Sequence, residues 1–156
     1  MFQGQLIGIF VSGQKCAELQ LLEQAEAVPG RGIAGDRYYL GEGTYSNKPG
    51  PDREVTLIEV EALEALQREN ELTLEPRLAR RNLLTLGVPL NHLVGREFAV
   101  GDVLLRGLRL CEPCGHLEKL TLRGVNQGLC HRGGLRARVV RGGMLRKGDT
   151  IKPVNS

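Results

Sequence analysis

Glycine is spread along the whole chain and separates short apolar segments from one another. The 156 residues include 21 glycines, and these are dispersed instead of clustered. Glycine tolerates the backbone angles of tight turns, so this spacing is typical of many short strands joined by turns. Gly-Asp pairs recur at Gly101-Asp102 and Gly148-Asp149, before the short runs that begin at Val103 and Thr150, and suit the entry to a turn. The sequence therefore predicts a mainly β protein.

The spacing of the apolar residues predicts where the strands and helices lie. Strands are predicted over residues 1–11, 19–27, 53–58, 83–86, 97–100, 103–110 and 135–140. Val60, Leu63 and Leu66 repeat at helical spacing, which predicts one amphipathic helix over residues 59–69. One or two further short helices are predicted, at residues 76–79 and 116–122, and a single turn is predicted at residues 91–95.

The strand pattern and the chain length favour one small barrel. No predicted strand is followed by the sequence G-x-G-x-x-G at the start of a helix, and strands do not alternate regularly with helices. We therefore expect antiparallel connections throughout and a small closed β-barrel or closed sandwich. A chain of this length is usually one domain, so a single domain is expected over residues 1–156.

The composition argues against nucleic-acid and membrane partners. The formal net charge is +3, aromatic residues make up 4% of the chain, and there is no tryptophan. Such a chain offers little for base stacking and carries less charge than most nucleic-acid-binding domains. No segment has the length of a membrane span, and residues 1–11 lack the basic start of a secretory signal. A cytoplasmic location is expected, where closely spaced cysteines more often bind metals or act in catalysis than form disulfides.

A short segment after the predicted strand 103–110 contains two thiols and an imidazole, at Cys111, Cys114 and His116. The spacing is compatible with half of a zinc site, which needs two more ligands from among His116, Cys130 and His131. It is also compatible with a redox dithiol, or with one thiolate that binds a soft metal. Two inert buried cysteines are a fourth interpretation. The spacing alone does not decide among them.

Two arginine-containing segments are candidate anion-binding sites. Arg80 and Asn82 precede a predicted strand, and Arg136 follows a pair of glycines at the start of another. A guanidinium group binds phosphate or carboxylate through two parallel hydrogen bonds, and glycines let backbone N–H groups approach an anion. A solvated basic surface is the simpler interpretation for any single arginine here.

A third candidate is the glycine-rich loop over residues 30–35, which is followed by Asp36 and Arg37. These two charged residues could order the loop or reach a ligand. Use of the loop as a structural element is the favoured interpretation.

Together these segments resemble the MOSC domain, the C-terminal domain of molybdenum cofactor sulfurases, which also occurs as a stand-alone bacterial protein. The matching stretches are residues 32–37, 53–58, 80–82, 93–95, 100–102, 110–114, 134–136, 142–143 and 148–149. They cover nearly the whole chain in the same order. The resemblance implies a strand-rich closed barrel similar to the β-barrel domain of pyruvate kinase.

The resemblance also implies a pterin-based molybdenum cofactor (molybdopterin), or sulfur destined for that cofactor, held at one cysteine. By its position in the motif this cysteine is Cys114, which is expected to be the metal ligand and the catalytic residue or sulfur carrier. The residues expected to bind the cofactor are Asp36, Arg37, Arg80, Asn82 and Arg136. Pyridoxal phosphate belongs to a sulfurase domain fused to some relatives and is not expected in this chain.

The activity that the resemblance implies is reduction of small N-oxygenated compounds or transfer of sulfur to molybdenum cofactor. The expected partners are the small-molecule cofactor and an electron-donor protein or a molybdoenzyme. Two other hypotheses stay open. One is a non-enzymatic carrier of cofactor or sulfur, and the other is a zinc-stabilised β-barrel interaction module.

Overall fold

Seven strands close into a barrel, and helices and a small second sheet lie around it. The computed structural model describes residues 1–13, 19–40, 54–113 and 123–154. The strands within these ranges are β1 (Gly4–Val11), β2 (Gln20–Leu22), β3 (Gln24–Val28), β4 (Gly32–Ile33), β5 (Val55–Glu59), β6 (Leu83–Leu86), β7 (Glu97–Val100), β8 (Val103–Leu110), β9 (Leu135–Arg141), β10 (Gly143–Arg146) and β11 (Thr150–Pro153). The helices are α1 (Val60–Asn70) and α2 (Val125–Gly128), and single 3-10 turns lie at Pro76–Ala79 and Leu90–Leu93.

The barrel follows the strand order β11-β7-β8-β9-β5-β6-β1, and the pairing of β1 with β11 closes it. β2 extends the same sheet beyond β1. The prediction of a mainly β fold with a small closed barrel and one amphipathic helix is thus confirmed.

One neighbouring pair in the barrel is parallel, so the expectation of antiparallel connections throughout is wrong. β5 and β6 run parallel, with Leu57 opposite Leu83, and α1 lies in the connection between them. The other six pairs around the ring are antiparallel. A closed ring with an odd number of strands cannot alternate direction at every step. Seven strands therefore require a parallel pair, and a parallel pair requires a crossover such as α1.

Alternate side chains of the barrel strands fill the interior. On β9, Leu135, Ala137 and Val139 are buried, whereas Arg136 and Arg138 point to the other side of the sheet and are half-buried. Phe98 of β7 is also buried in this interior cluster. Each large apolar side chain buried in this way contributes roughly 1.5–3 kcal/mol. The same alternation that builds the core therefore places arginines on the outer face of β9.

α1 covers the outside of the barrel with an apolar face. It begins at Val60 and ends at Asn70, close to the predicted bounds of 59–69. Its buried residues are Ala62, Leu63, Ala65 and Leu66. They join a second apolar cluster that includes Ile58, Leu84 and Val125. None of the helices in the described ranges is long and apolar enough to cross a membrane.

A three-stranded sheet in the order β10-β3-β4 completes the described part of the fold. The strand predicted over residues 19–27 is two strands, β2 and β3, divided at Glu23. β4, β10, β11 and α2 are additional to the predicted elements. They are two to four residues long, and β10 and β11 each bury only one residue, so their sequences show little apolar pattern. The helix predicted over residues 116–122 lies outside the described residues.

Candidate functional site

The strand β8 leads directly into the cysteine motif. The last register pair of β8 and β9 joins Leu110 to Leu135. The backbone N–H of Cys111 then donates to the carbonyl oxygen of Gly134 at 2.7 Å, which extends the pairing by one step. The Cys111 side chain is buried, with the residue 1% exposed. Cys114 lies outside the described residues, so its predicted role as ligand stays a prediction.

The buried guanidinium group of Arg81 binds the segment after β8 and the segment before β9. Nη2 of Arg81 donates to the carbonyl oxygen of Cys111 at 3.1 Å, and Nε donates to the carbonyl oxygen of Gly133 at 2.9 Å. Nη1 donates to the carbonyl oxygen of Ala79 at 3.3 Å. Arg81 is 8% exposed, so these carbonyl groups replace the water that a guanidinium normally binds.

Gly134 allows this close approach of backbone segments. Its φ is +121°, and a Cβ atom at this position would overlap the carbonyl oxygen of Leu57 on β5. Residues other than glycine rarely adopt such an angle. The start of β9 can therefore lie against β5 only with glycine at this position.

The loop that carries Asp36 and Arg37 is tied to the backbone of Arg80. Nη1 of Arg37 lies 3.2 Å from Oδ1 of Asp36, which also accepts the N–H of Ser12 at 3.1 Å. Nη2 of Arg37 donates to the carbonyl oxygen of Arg80 at 3.4 Å. Asp36 and Arg37 are both buried. This contact chain joins three of the predicted site residues.

Arg80 itself has a left-handed backbone conformation, with φ +62°, after the turn Pro76–Ala79. Its carbonyl oxygen accepts a hydrogen bond from Arg37, and the residue as a whole is half-buried. Of the two adjacent arginines, Arg81 is thus directed into the protein and Arg80 is the more exposed one.

The side chain of Asn82 is engaged in the barrel wall. Its Oδ1 accepts the N–H of Thr56 at 3.1 Å, and its Nδ2 donates to the carbonyl oxygen of Phe10 at 3.1 Å. The Thr56 hydroxyl lies 3.2 Å from the same Oδ1. Asn82 is 1% exposed. It therefore links β1, β5 and the start of β6, directly after Arg81 in the chain.

Arg136 belongs to a group of arginines on the outer face of β8 and β9. Arg136 is the register partner of Arg109, and Arg138 is the register partner of Arg106. Arg136 is also opposite Thr56 on β5, which connects it through one strand to Asn82. Four guanidinium groups on two neighbouring strands concentrate positive charge on this face. Glu97 is opposite Arg106, and Glu54 interacts with Arg138, so the excess positive charge lies at Arg109 and Arg136.

Sequence reasoning missed Arg81 as a residue of the site. Asp36, Arg37 and Arg80 meet in one chain of contacts, and Arg136 lies on the neighbouring strand face. Arg81 stands between them and the cysteine motif. The only signal in the sequence is that two arginines stand side by side before a strand, and this signal does not show which of them is buried.

The fold and the site together define a small closed β-barrel with cationic side chains beside a cysteine motif. The chain belongs to the MOSC domain family, whose model matches residues 44–152. A single domain over residues 1–156 stays a prediction.

Solved structures with the same fold come from several bacteria. The YuaD protein of Bacillus subtilis matches with a TM-score of 0.79 and 16% identity, over 97% of each chain. YiiM of Geobacillus stearothermophilus matches with a TM-score of 0.74 and 16% identity, over 97% of this chain and 75% of that one. YiiM of Escherichia coli matches with a TM-score of 0.69 and 19% identity, over 97% of this chain and 70% of that one. Likeness at this identity shows the shared fold. A comparison with curated proteins gave no match.

Proposed function

We propose that this chain binds a pterin-based molybdenum cofactor beside the end of β8 and uses Cys114 as its metal ligand or as a carrier of sulfur for it. One observation carries the proposal: the strand that leads into the cysteine motif ends among cationic groups. Arg81 lies buried against the carbonyl group of Cys111, and Arg109 is paired with Arg136 on the outer face. Membership of the MOSC family supplies the class of cofactor.

The donor groups at this site fit an anionic cofactor with a soft metal. The pterin carries a phosphate, which guanidinium groups bind through charge-assisted hydrogen bonds. In the proposal Arg80 and Arg136 bind this anionic end. A thiolate is a suitable ligand for a soft metal, and cationic groups nearby favour the ionised form of a thiol.

The other predicted residues act in the proposal through the backbone that they hold. Asp36 and Arg37 fix the carbonyl group of Arg80, so they position that residue toward the ligand. Asn82 fixes the start of β6 through Phe10 and Thr56. Direct contacts of these three side chains with the cofactor stay predictions.

When bound, the cofactor would supply the redox or sulfur chemistry, while the protein binds and orients it. Reduction of a small N-oxygenated compound would need an electron-donor protein. Sulfur transfer would need a molybdoenzyme as acceptor. Both activities suit the predicted cytoplasmic location.

The metal content of the purified protein tests the proposal. The protein is purified without oxygen from cells that make the cofactor, together with Cys114→Ala and the matched control Cys16→Ala. We expect molybdenum in the wild type and in the control, and none in Cys114→Ala. Molybdenum that stays bound to Cys114→Ala would contradict the assigned ligand.

Two further measurements separate the two activities. Turnover of an N-hydroxylated substrate with a supplied electron donor would identify an oxidoreductase. A protein that binds no molybdenum but carries a persulfide on Cys114, detected by mass spectrometry, would identify a sulfur carrier. Arg80→Gln and Arg136→Gln are expected to lower the amount of pterin recovered, because each removes one cation from the anionic end.

A further inference from the structure

Three potential metal ligands meet on the surface beside the cysteine motif. A carboxylate oxygen of Glu112, Sγ of Cys130 and an imidazole nitrogen of His131 all lie within 4.8 Å of one another. All three residues are exposed. Within the described ranges, no other three potential ligands lie so close to one another. Nothing in the proposed cofactor site uses any of them.

We propose that Glu112, Cys130 and His131 form a binding site for Zn²⁺ or a similar divalent transition metal. The set offers one sulfur, one nitrogen and one oxygen ligand, a combination that suits zinc. A thiolate and a carboxylate together neutralise the two positive charges of the ion, and the neutral imidazole adds no charge. Calcium and magnesium prefer oxygen ligands only, so this mixed set disfavours them.

The distances allow the three ligands to converge on one ion. Zinc–ligand bonds are about 2.0–2.3 Å long, so two ligand atoms on the same tetrahedral ion lie roughly 3.3–3.8 Å apart. Because the ligand atoms lie within 4.8 Å of one another, no pair needs to close by more than about 1–1.5 Å. Exposed side chains can make this change by rotating about their own bonds. Three protein ligands leave the fourth position open to water or to a ligand from solution.

The backbone that carries these ligands is held in place. His131 has a left-handed conformation, with φ +63°. Its N–H donates to Oε1 of Glu112 at 2.8 Å, and its carbonyl oxygen accepts Nδ2 of Asn91 at 2.7 Å. Nδ1 of His131 lies 3.1 Å from Oε2 of Glu112, so these two side chains are already in contact, and Nε2 of His131 is the nitrogen left for the ion.

The buried Arg81 side chain, called the Arg81 clamp below, supports the segments on which this site is built. Arg81 binds the carbonyl groups of Cys111 and Gly133, which stand next to Glu112 and near His131 in the chain. The N–H of Cys130 approaches the carbonyl oxygen of Gln127 at 3.4 Å at the end of α2. The two segments that supply ligands are therefore fixed relative to each other before any ion binds, which lowers the entropic cost of binding.

Cobalt titration of the metal-free, full-length protein under reducing conditions tests this site. Co²⁺ replaces Zn²⁺ with similar geometry, and a thiolate ligand gives a charge-transfer absorption band that reports on the sulfur. We expect one equivalent of Co²⁺ with this band in the wild type, displaced by Zn²⁺. Cys130→Ser is expected to lose the band. Glu112→Gln and His131→Asn are expected to weaken binding at least about tenfold.

Matched variants separate this site from the proposed cofactor ligand. Asparagine at position 131 tolerates the left-handed backbone, and His92→Asn makes the same change at an exposed histidine outside the group. His92→Asn, Cys16→Ser and Cys114→Ser are expected to keep the band. Four results would each overturn the proposed site. The wild type would take up no Co²⁺, or Cys130→Ser would keep the band. Alternatively, Cys114→Ser would lose the band, or His131→Asn or Glu112→Gln would bind with unchanged affinity. Molybdenum content is expected to follow Cys114 and cobalt binding to follow Cys130, so the two proposals fail independently.

Discussion

Nη2 of Arg81 lies 3.1 Å from the carbonyl oxygen of Cys111, a residue 30 positions further along the chain. The same guanidinium group binds Gly133, so one side chain connects the start of β6, the end of β8 and the segment before β9. A cation this deeply buried is stable only when its hydrogen-bonding capacity is used. Arg81 therefore holds Cys111, the first residue after β8, close to the start of β6 and to the segment before β9.

Arg81→Met is expected to destabilise the protein. The substitution keeps the apolar stem but leaves the carbonyl groups of Ala79, Cys111 and Gly133 without their buried donor. We expect the free energy of unfolding to fall by about 2–4 kcal/mol, measured by urea denaturation. Arg77→Met is the matched control, because the Arg77 side chain is 51% exposed, and its effect should stay within about 0.5 kcal/mol.

A second readout follows the position of Cys111. Its thiol is buried in the wild type and should react slowly with a thiol reagent. In Arg81→Met the strand end loses an anchor, so faster modification of Cys111 is expected, located by mass spectrometry of the labelled peptide. Unchanged stability together with unchanged labelling would show that the clamp does not hold this segment.

Asn82→Ala is expected to destabilise the protein whether or not a cofactor is bound. Removing the amide leaves the N–H of Thr56 and the carbonyl group of Phe10 without a partner in a buried position. The expected loss is about 2–3 kcal/mol in urea denaturation. Asn91→Ala removes an amide that makes an exposed contact, so it should cost less than about 1 kcal/mol. An Asn82→Ala protein as stable as the wild type would show that the amide does not support the barrel wall.

The barrel could be predicted from the sequence to a larger extent than the site. Strands such as β8 and β9 show their alternation clearly, since one side faces the interior. The parallel pair could not be predicted, because it follows from the number of strands that close the ring and not from any local pattern.

The clamp and the metal-ligand group depend on tertiary contacts. Arg80 and Arg81 have the same side chain and are adjacent in sequence, and only the position of Cys111 across the barrel shows which one is buried. Glu112 and His131 are 19 residues apart and meet because β8 and β9 are neighbours. No spacing rule within one segment contains that information.

Gly134→Ala and Gly35→Ala form a pair that separates steric overlap from backbone strain. Both glycines have positive φ, +121° and +87°. A methyl group at Gly134 would overlap the carbonyl oxygen of Leu57, whereas nothing lies within 4 Å of the corresponding position at Gly35. We expect Gly35→Ala to cost about 1 kcal/mol and Gly134→Ala more than about 3 kcal/mol in thermal or urea unfolding. Equal costs at the two positions would mean that β9 does not lie against β5 as described.

Glu54 is expected to make the stability of the protein depend on pH. Burial raises the pKa of Glu54 above its ordinary value of 4.5, although the N–H groups of Val139 and Gly30 and the charge of Arg138 oppose this shift. The folded state therefore holds the proton more tightly than the unfolded state. The protonated Glu54 carboxyl therefore contributes to the free energy of unfolding. This contribution is fully present below the ordinary pKa of Glu54 and is lost as the pH rises through its raised pKa in the folded protein.

The difference between wild type and Glu54→Gln isolates this effect. The glutamine keeps an oxygen that can accept the N–H groups of Val139 and Gly30 but does not titrate. Glu59, whose pKa is also raised by burial, is present in both proteins and cancels. We expect the unfolding free energy of the wild type, minus that of the variant, to decrease from about pH 4 to about pH 7 in urea denaturation. A difference that stays constant over this range would show that Glu54 ionises equally in the folded and unfolded states.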